Sequence, residues 1–131
     1  MTIFLGVPLF MVRWNGPKTV PMTTIDREVL NRDLRGPCLI KLDTHGFERE
    51  ILNGAKATLG MTDLVIIETY FFKLHETAPL FTEMINYMSE RGFRVIDMSE
   101  PLWRQRDNSP WQIDMFFVKT SRPEFLYNSY S

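Results

Sequence analysis

Two apolar runs flank an amphipathic stretch near the middle of the chain, and this change of pattern sets the expected architecture. The first run, Cys38-Leu39-Ile40-Lys41-Leu42, ends in Asp43, and the turn Thr44-His45-Gly46 follows. Phe47, Ile51, Ala55 and Leu59 then recur every four residues with Leu52 beside them, while Glu48, Arg49, Glu50, Asn53 and Lys56 take the other side. That spacing predicts one amphipathic helix, stopped by Gly60. The second run, Leu64-Val65-Ile66-Ile67, ends in Glu68. Strand, helix and strand of this kind make a parallel βαβ unit, and strands apolar throughout are expected to carry helices on both faces. Ligands of open parallel sheets sit beyond the carboxyl ends of the strands. Asp43 and Glu68 are therefore expected to point into one crevice.

The flanking segments extend the same grammar. Residues 10–14 read as a strand before the turn signal Asn15-Gly16-Pro17, and residues 19–22 as a short extended piece. Thr23 or Thr24 is placed to cap a helix over residues 25–34, with Asp26 and Glu28 in its acid-rich first turn and Arg35-Gly36-Pro37 ending it. Beyond Glu68, residues 69–75 read as an aromatic loop. Thr77 then caps a helix with Pro79 in its first turn, Leu80, Met84, Tyr87 and Met88 as its apolar stripe, and Glu90-Arg91-Gly92 at its end. Residues 93–98 alternate as a third strand, residues 101–110 form an arginine-bearing loop, and residues 111–118 are the last strand. The link between those two strands, about a dozen residues, favours a hairpin over a parallel crossover. The sum is an α/β chain resembling the second half of a doubly wound sheet.

Bulk properties narrow the classes. The chain has 131 residues, enough for one domain, and its 44% hydrophobic and 24% charged content suits a globular protein. A net charge of −1 supplies no basic face for nucleic acid. The single cysteine, Cys38, lies in an expected buried strand, where a small apolar residue is the better reading than a nucleophile. Without an internal disulfide the expected compartment is the reducing cytoplasm. Residues 3–12 are too short to span a bilayer, which takes about 20 apolar residues, and read as an extended segment broken at Gly6 and Pro8. No membrane partner is expected.

The residues from Ile40 to Ala55, IKLDTHGFEREILNGA, resemble the "(I/L)K(I/L)D-x-x-G-x-E-x-x-(I/V)L-x-G-A" signature of FkbM-type methyltransferases. Val20-Pro21-Met22-Thr23-Thr24-Ile25-Asp26 is similar to the "V-x-x-x-T-(L/I)-D" segment of that family, and residues 64–68 and 114–118 match its later strands. The likeness spans residues 18–119, with 1–17 and 120–131 as extensions of one partial domain. It implies a Rossmann-like class I methyltransferase fold, represented by its C-terminal half, with a mostly parallel sheet and an antiparallel last strand. It also implies S-adenosylmethionine as cofactor and O-methylation of a small hydroxyl-bearing acceptor. Two departures stand out. His45 replaces an acidic turn residue, and no glycine-rich cofactor turn occurs within residues 1–37. The chain is thus expected to be an acceptor-side half, truncated or paired with something else.

Catalytic roles are expected for Asp43, where position and resemblance agree, for Glu68 from its strand end and for His45 as a base. Asp43 and Thr44 are expected at the cofactor, and Tyr70, Phe71 and Arg104 at the acceptor. Plain alternatives stand beside each. Asp43 can cap the following helix. His45 can be an exposed turn residue, and Glu48 a favourable charge at a helix start. The aromatic residues and both Trp103 and Trp111 can be packing groups, and Arg104 and Arg106 part of a solvated loop. Two carboxylates and an imidazole also suit divalent ions, although the reading adopted assigns no metal. Two rival functions remain: a half-domain that associates with a partner chain or its own copy through an uncovered sheet edge, and a different doubly wound enzyme sharing only the fold.

Overall fold

A computed structural model describes residues 2–6 as backbone, together with residues 21–127, 129 and 130. Along the chain run β1 (Thr2–Gly6), α1 (Ile25–Asn31), β2 (Cys38–Asp43), α2 (Glu48–Asn53), α3 (Lys56–Gly60), β3 (Thr62–Tyr70), α4 (Phe81–Ser89), β4 (Phe93–Trp103) and β5 (Pro110–Lys119), then a 3-10 turn at Pro123–Phe125. The strands form one mixed sheet in the order β1-β2-β3-β5-β4. β1, β2 and β3 are parallel, and β5 runs antiparallel to both β3 and β4. The parallel βαβ unit and the terminal hairpin therefore both form.

β2 alternates between buried Cys38, Ile40 and Leu42 and half-exposed Leu39, Lys41 and Asp43. The reason lies in where the helices pack. Ile25 and Val29 of α1, Leu52 of α2, Leu59 of α3, and Met84 and Met88 of α4 all join one cluster with Ile40, Leu42, Val65, Ile67, Met115 and Phe117. Those strand residues share one face, so the described helices cover a single side of the sheet. The helices expected on the second face are not found among the described residues. The second face carries Lys41, Asp43, Ile66, Glu68, Asp114 and Phe116 by the same alternation.

Several boundaries also differ. The single helix expected from Phe47 to Gly60 is two, α2 and α3, separated at Gly54-Ala55. The amides of Gly54 and Ala55 turn back three residues, to Ile51 at 3.0 Å and Leu52 at 3.1 Å, which tightens and closes α2. Phe47, expected inside, is 56% exposed, and Glu48, expected outside, is buried. Thr24 caps α1 as expected, its hydroxyl accepting from Arg27 N at 3.2 Å, but the helix ends at Asn31. α4 starts at Phe81, past Thr77 and Pro79, where the Glu83 carboxylate accepts from Leu80 N at 2.7 Å. β3 runs on through Tyr70, and β4 runs to Trp103, which shortens the loop expected before β5. Trp103 is exposed rather than packed, and Cys38 is buried.

β1 lies along β2 with Gly6 level with Asp43. β2 is thus paired on both sides, and among the described residues the outer sides of β1 and β4 form the sheet's edges. The strand and turn expected over residues 10–17 lie outside the described residues. Among the described residues, no helix is long and apolar enough to cross a membrane.

Candidate active site at the carboxyl ends of the parallel strands

Parallel pairing sets Leu42 beside Ile67, so the next residues, Asp43 at the end of β2 and Glu68 within β3, stand level on neighbouring strands. One ligand-capable atom each from Asp43, His45 and Glu68 lies within 4.8 Å of the other two. His45 Nδ1 is 3.8 Å from Asp43 Oδ1, too far for a hydrogen bond. The three differ in access. The His45 and Asp43 side chains are 58% and 43% exposed, whereas Glu68 is only 8% exposed.

The turn presenting His45 needs two successive left-handed residues, His45 at φ 56° and Gly46 at φ 102°. Buried Glu48 holds it. Its Oε1 accepts from Thr44 N at 3.3 Å, Thr44 Oγ1 at 3.0 Å and Gly46 N at 3.1 Å. The cap considered for Asp43 is not made, because Phe47 is the N-cap residue of α2 and receives no side-chain bond. Asp43 stays available to the crevice, while both polar groups of Thr44 that face Glu48 are engaged inside the turn. His45 carries the sequence's departure from the family signature and projects outward from that frame.

Glu68 sits among like charges. Burial first, then the carboxylates of Asp43 and Asp114, push its carboxyl up to about 7. Gln112 Nε2 donates to Glu68 Oε2, and Glu68 Oε1 is buried with no protein partner. Asp114 is paired instead with Lys41, at 2.8 Å, across the intervening strand β3. The hydrogen bond from Lys41 to Asp114 in turn holds the Lys41 ammonium above its usual range. Gln112, Asp114 and Lys41 thus shape this site although none was singled out from sequence. The signal for them is the strand alternation that puts them on the same face as Glu68.

Tyr70, on that face two residues beyond Glu68, is 2% exposed and its hydroxyl has no partner. Its ring centroid lies 6.4 Å from that of His45 and 6.0 Å from Trp111, so it forms part of the wall. Phe71 instead stacks on Phe81 at 4.4 Å, at the start of α4. Arg104 lies over the Phe72 ring at 4.0 Å and forms an ion pair with Asp107. Asp43, His45, Glu68 and Tyr70 are brought together; Phe71 and Arg104 are engaged by other neighbours. His75 is a further residue of this region. Its ring is 5.2 Å from that of Phe47, and its buried Nε2 has no partner.

Searches of curated proteins and of solved structures return no match to the chain. The family described as Methyltransferase FkbM domain does match, over residues 6–95. That span holds β2, β3 and the Asp43, His45 and Glu68 constellation, and it ends before Gln112 and Asp114. Covering well over half the sequence, the match means that the chain belongs to the FkbM methyltransferase domain family.

Proposed function

We propose that this chain acts in S-adenosylmethionine-dependent methyl transfer to a small hydroxyl-bearing acceptor, as the acceptor-side half of a Rossmann-like class I methyltransferase. The observation that carries the reading is the convergence of Asp43, His45 and Glu68 where parallel strands deliver ligand sites. Insertion of β5 antiparallel between β3 and β4 supports the class I assignment.

The residues present fit the amino end of the cofactor. An ammonium group needs acceptors, and the half-exposed Asp43 carboxylate, with two oxygens, supplies them. When bound, S-adenosylmethionine supplies a methyl group already activated on a sulfonium. The protein's share is alignment, exclusion of water and acceptance of one proton. Glu68, held near neutrality in its titration, can take the proton of an acceptor hydroxyl at Oε1. Asp43 and His45 stand at the open side of the crevice, and Tyr70 closes the apolar side.

Calorimetric titration with S-adenosylhomocysteine tests the reading. One site per chain is expected, weakened at least about tenfold in Asp43→Asn, which removes a charged acceptor. Absence of binding heat from the parent chain overturns it.

A further inference from the structure

We propose that Asp43, His45 and Glu68 form a divalent-cation site that holds the acceptor hydroxyl, a role resting on the methyl-transfer reading above. Two carboxylates and one imidazole are a donor set suited to divalent ions with mixed oxygen and nitrogen preference. Their nearest ligand atoms already lie within 4.8 Å of one another. Two ligands at about 2.2 Å from one ion are separated by at most about 4.4 Å. The 4.8 Å bound on the three atoms exceeds that span by only a few tenths of an ångström.

Two buried polar atoms point to a missing partner. Glu68 is more than nine-tenths buried, and Gln112 takes one of its oxygens and leaves Oε1 without a donor. A buried carboxylate oxygen lacking a donor is unfavourable, and a cation removes that cost. The Tyr70 hydroxyl, on the same face, is likewise buried without a partner. Charge balance agrees. Lys41 is engaged by Asp114, and among the described residues no lysine or arginine forms an ion pair with Asp43 or Glu68.

Three protein ligands leave open positions on a six-coordinate ion for water or the acceptor's oxygen. A hydroxyl bound there loses its proton more readily, as a metal-bound oxygen does; with the cation on Glu68, solvent replaces Glu68 as the proton's acceptor. The acceptor class is then one that presents a hydroxyl, or two adjacent hydroxyls, to a cation.

Titration of the full chain with Mn2+, followed by the free-ion electron paramagnetic resonance signal, tests the site. One ion bound per chain is expected, with His45→Ala and Glu68→Gln each weakening binding at least about tenfold. His45 is exposed, so its variant is expected to melt like the parent and keeps the test valid if Glu68→Gln misfolds. An undiminished free-ion signal, or equal binding by His45→Ala, overturns the site. Binding of S-adenosylhomocysteine, measured on the same preparation, separates the two readings. Nucleoside heat without Mn2+ binding overturns the cation site alone, and Mn2+ binding without nucleoside heat supports the site while removing its role in methyl transfer.

Discussion

Asp26 accepts two hydrogen bonds from Thr58, one from its hydroxyl at 2.7 Å and one from its amide at 2.8 Å. A third comes from Ala57 N at 3.0 Å, so Asp26 supplies acceptors at the first turn of α3 from the first turn of α1. The Asp26 amide donates to Gly54 O at 2.9 Å. A side chain on Gly54 would place its Cβ 2.9 Å from Thr24 Cβ. The Thr24-Ile25-Asp26 segment and the Gly54-Ala55 segment, separate in the sequence signature, are therefore one joint. That joint fixes the helix leaving the His45 turn.

Replacing Asp26 by Ala is expected to destabilise the chain by about 1–2 kcal/mol, the cost of a lost helix-end acceptor. Burial works against its charge, but the bonds from Ala57 and Thr58 outweigh this and hold its carboxyl below the usual range. A lowered folded value means that the stabilisation is present above the unfolded value of 3.8 and fades as pH falls through the folded one. Urea unfolding at pH 7 and pH 3 should show the gap between parent and variant narrowing in acid.

Glu48 supports the His45 turn from inside, through three hydrogen bonds at one oxygen. Glu48→Ala leaves the Thr44 and Gly46 amides without their acceptor and should cost about 2–4 kcal/mol. Glu48→Gln keeps an acceptor oxygen and should cost about 1 kcal/mol. Equal losses in the two variants, measured by urea unfolding, would mean that the carboxylate charge, and not the mere presence of an acceptor oxygen, holds the turn.

Local signals were readable from the chain, and distant ones were not. The Thr24 cap, the β2 and β3 runs and the terminal hairpin each depend on neighbours within a few residues, where spacing reports directly on structure. Asp43 followed from a strand end, whereas Glu68, expected at one, stands two residues short of the end of β3. Glu48 escaped because a helical wheel sends an acid to solvent unless a nearby turn needs its oxygen. Lys41 and Asp114 stand 73 residues apart and Glu68 and Gln112 stand 44 apart, separations that no periodicity reports. The close approach of Thr24 to Gly54, thirty positions later, is likewise beyond what periodicity reports.

Gly46 combines a left-handed backbone with no free space. A Cβ there would lie 2.5 Å from His75 Nε2 and 2.7 Å from Ala78 Cβ. Gly46→Ala should therefore destabilise by about 2–3 kcal/mol, through both strain and collision. Adding His75→Ala removes one of the two obstacles and leaves the backbone strain, so it should recover less than half. A double-mutant cycle in urea measures this; full recovery would assign the whole effect to His75.

Glu68 should be more favourable for function than for stability. Its carboxyl ordinarily titrates at 4.5 and here near 7, through burial and then the Asp43 and Asp114 charges. A raised folded value means that the folded state favours the protonated form. Its contribution is full below pH 4.5 and is lost as pH rises toward about 7. At about 1.4 kcal/mol per unit, the loss reaches between about 1 and 3 kcal/mol once some solvent screening is allowed for. Glu68→Gln cannot ionise and can still accept from Gln112. In chelator-treated samples it should match the parent near pH 4.5 and exceed it at pH 8 by about 1–3 kcal/mol in urea unfolding. The same variant should lose methyl transfer, because Oε1 no longer offers a charge to the crevice. A stability gap that stays constant from pH 4.5 to pH 8 would show that the three carboxylates do not repel one another as their placement requires.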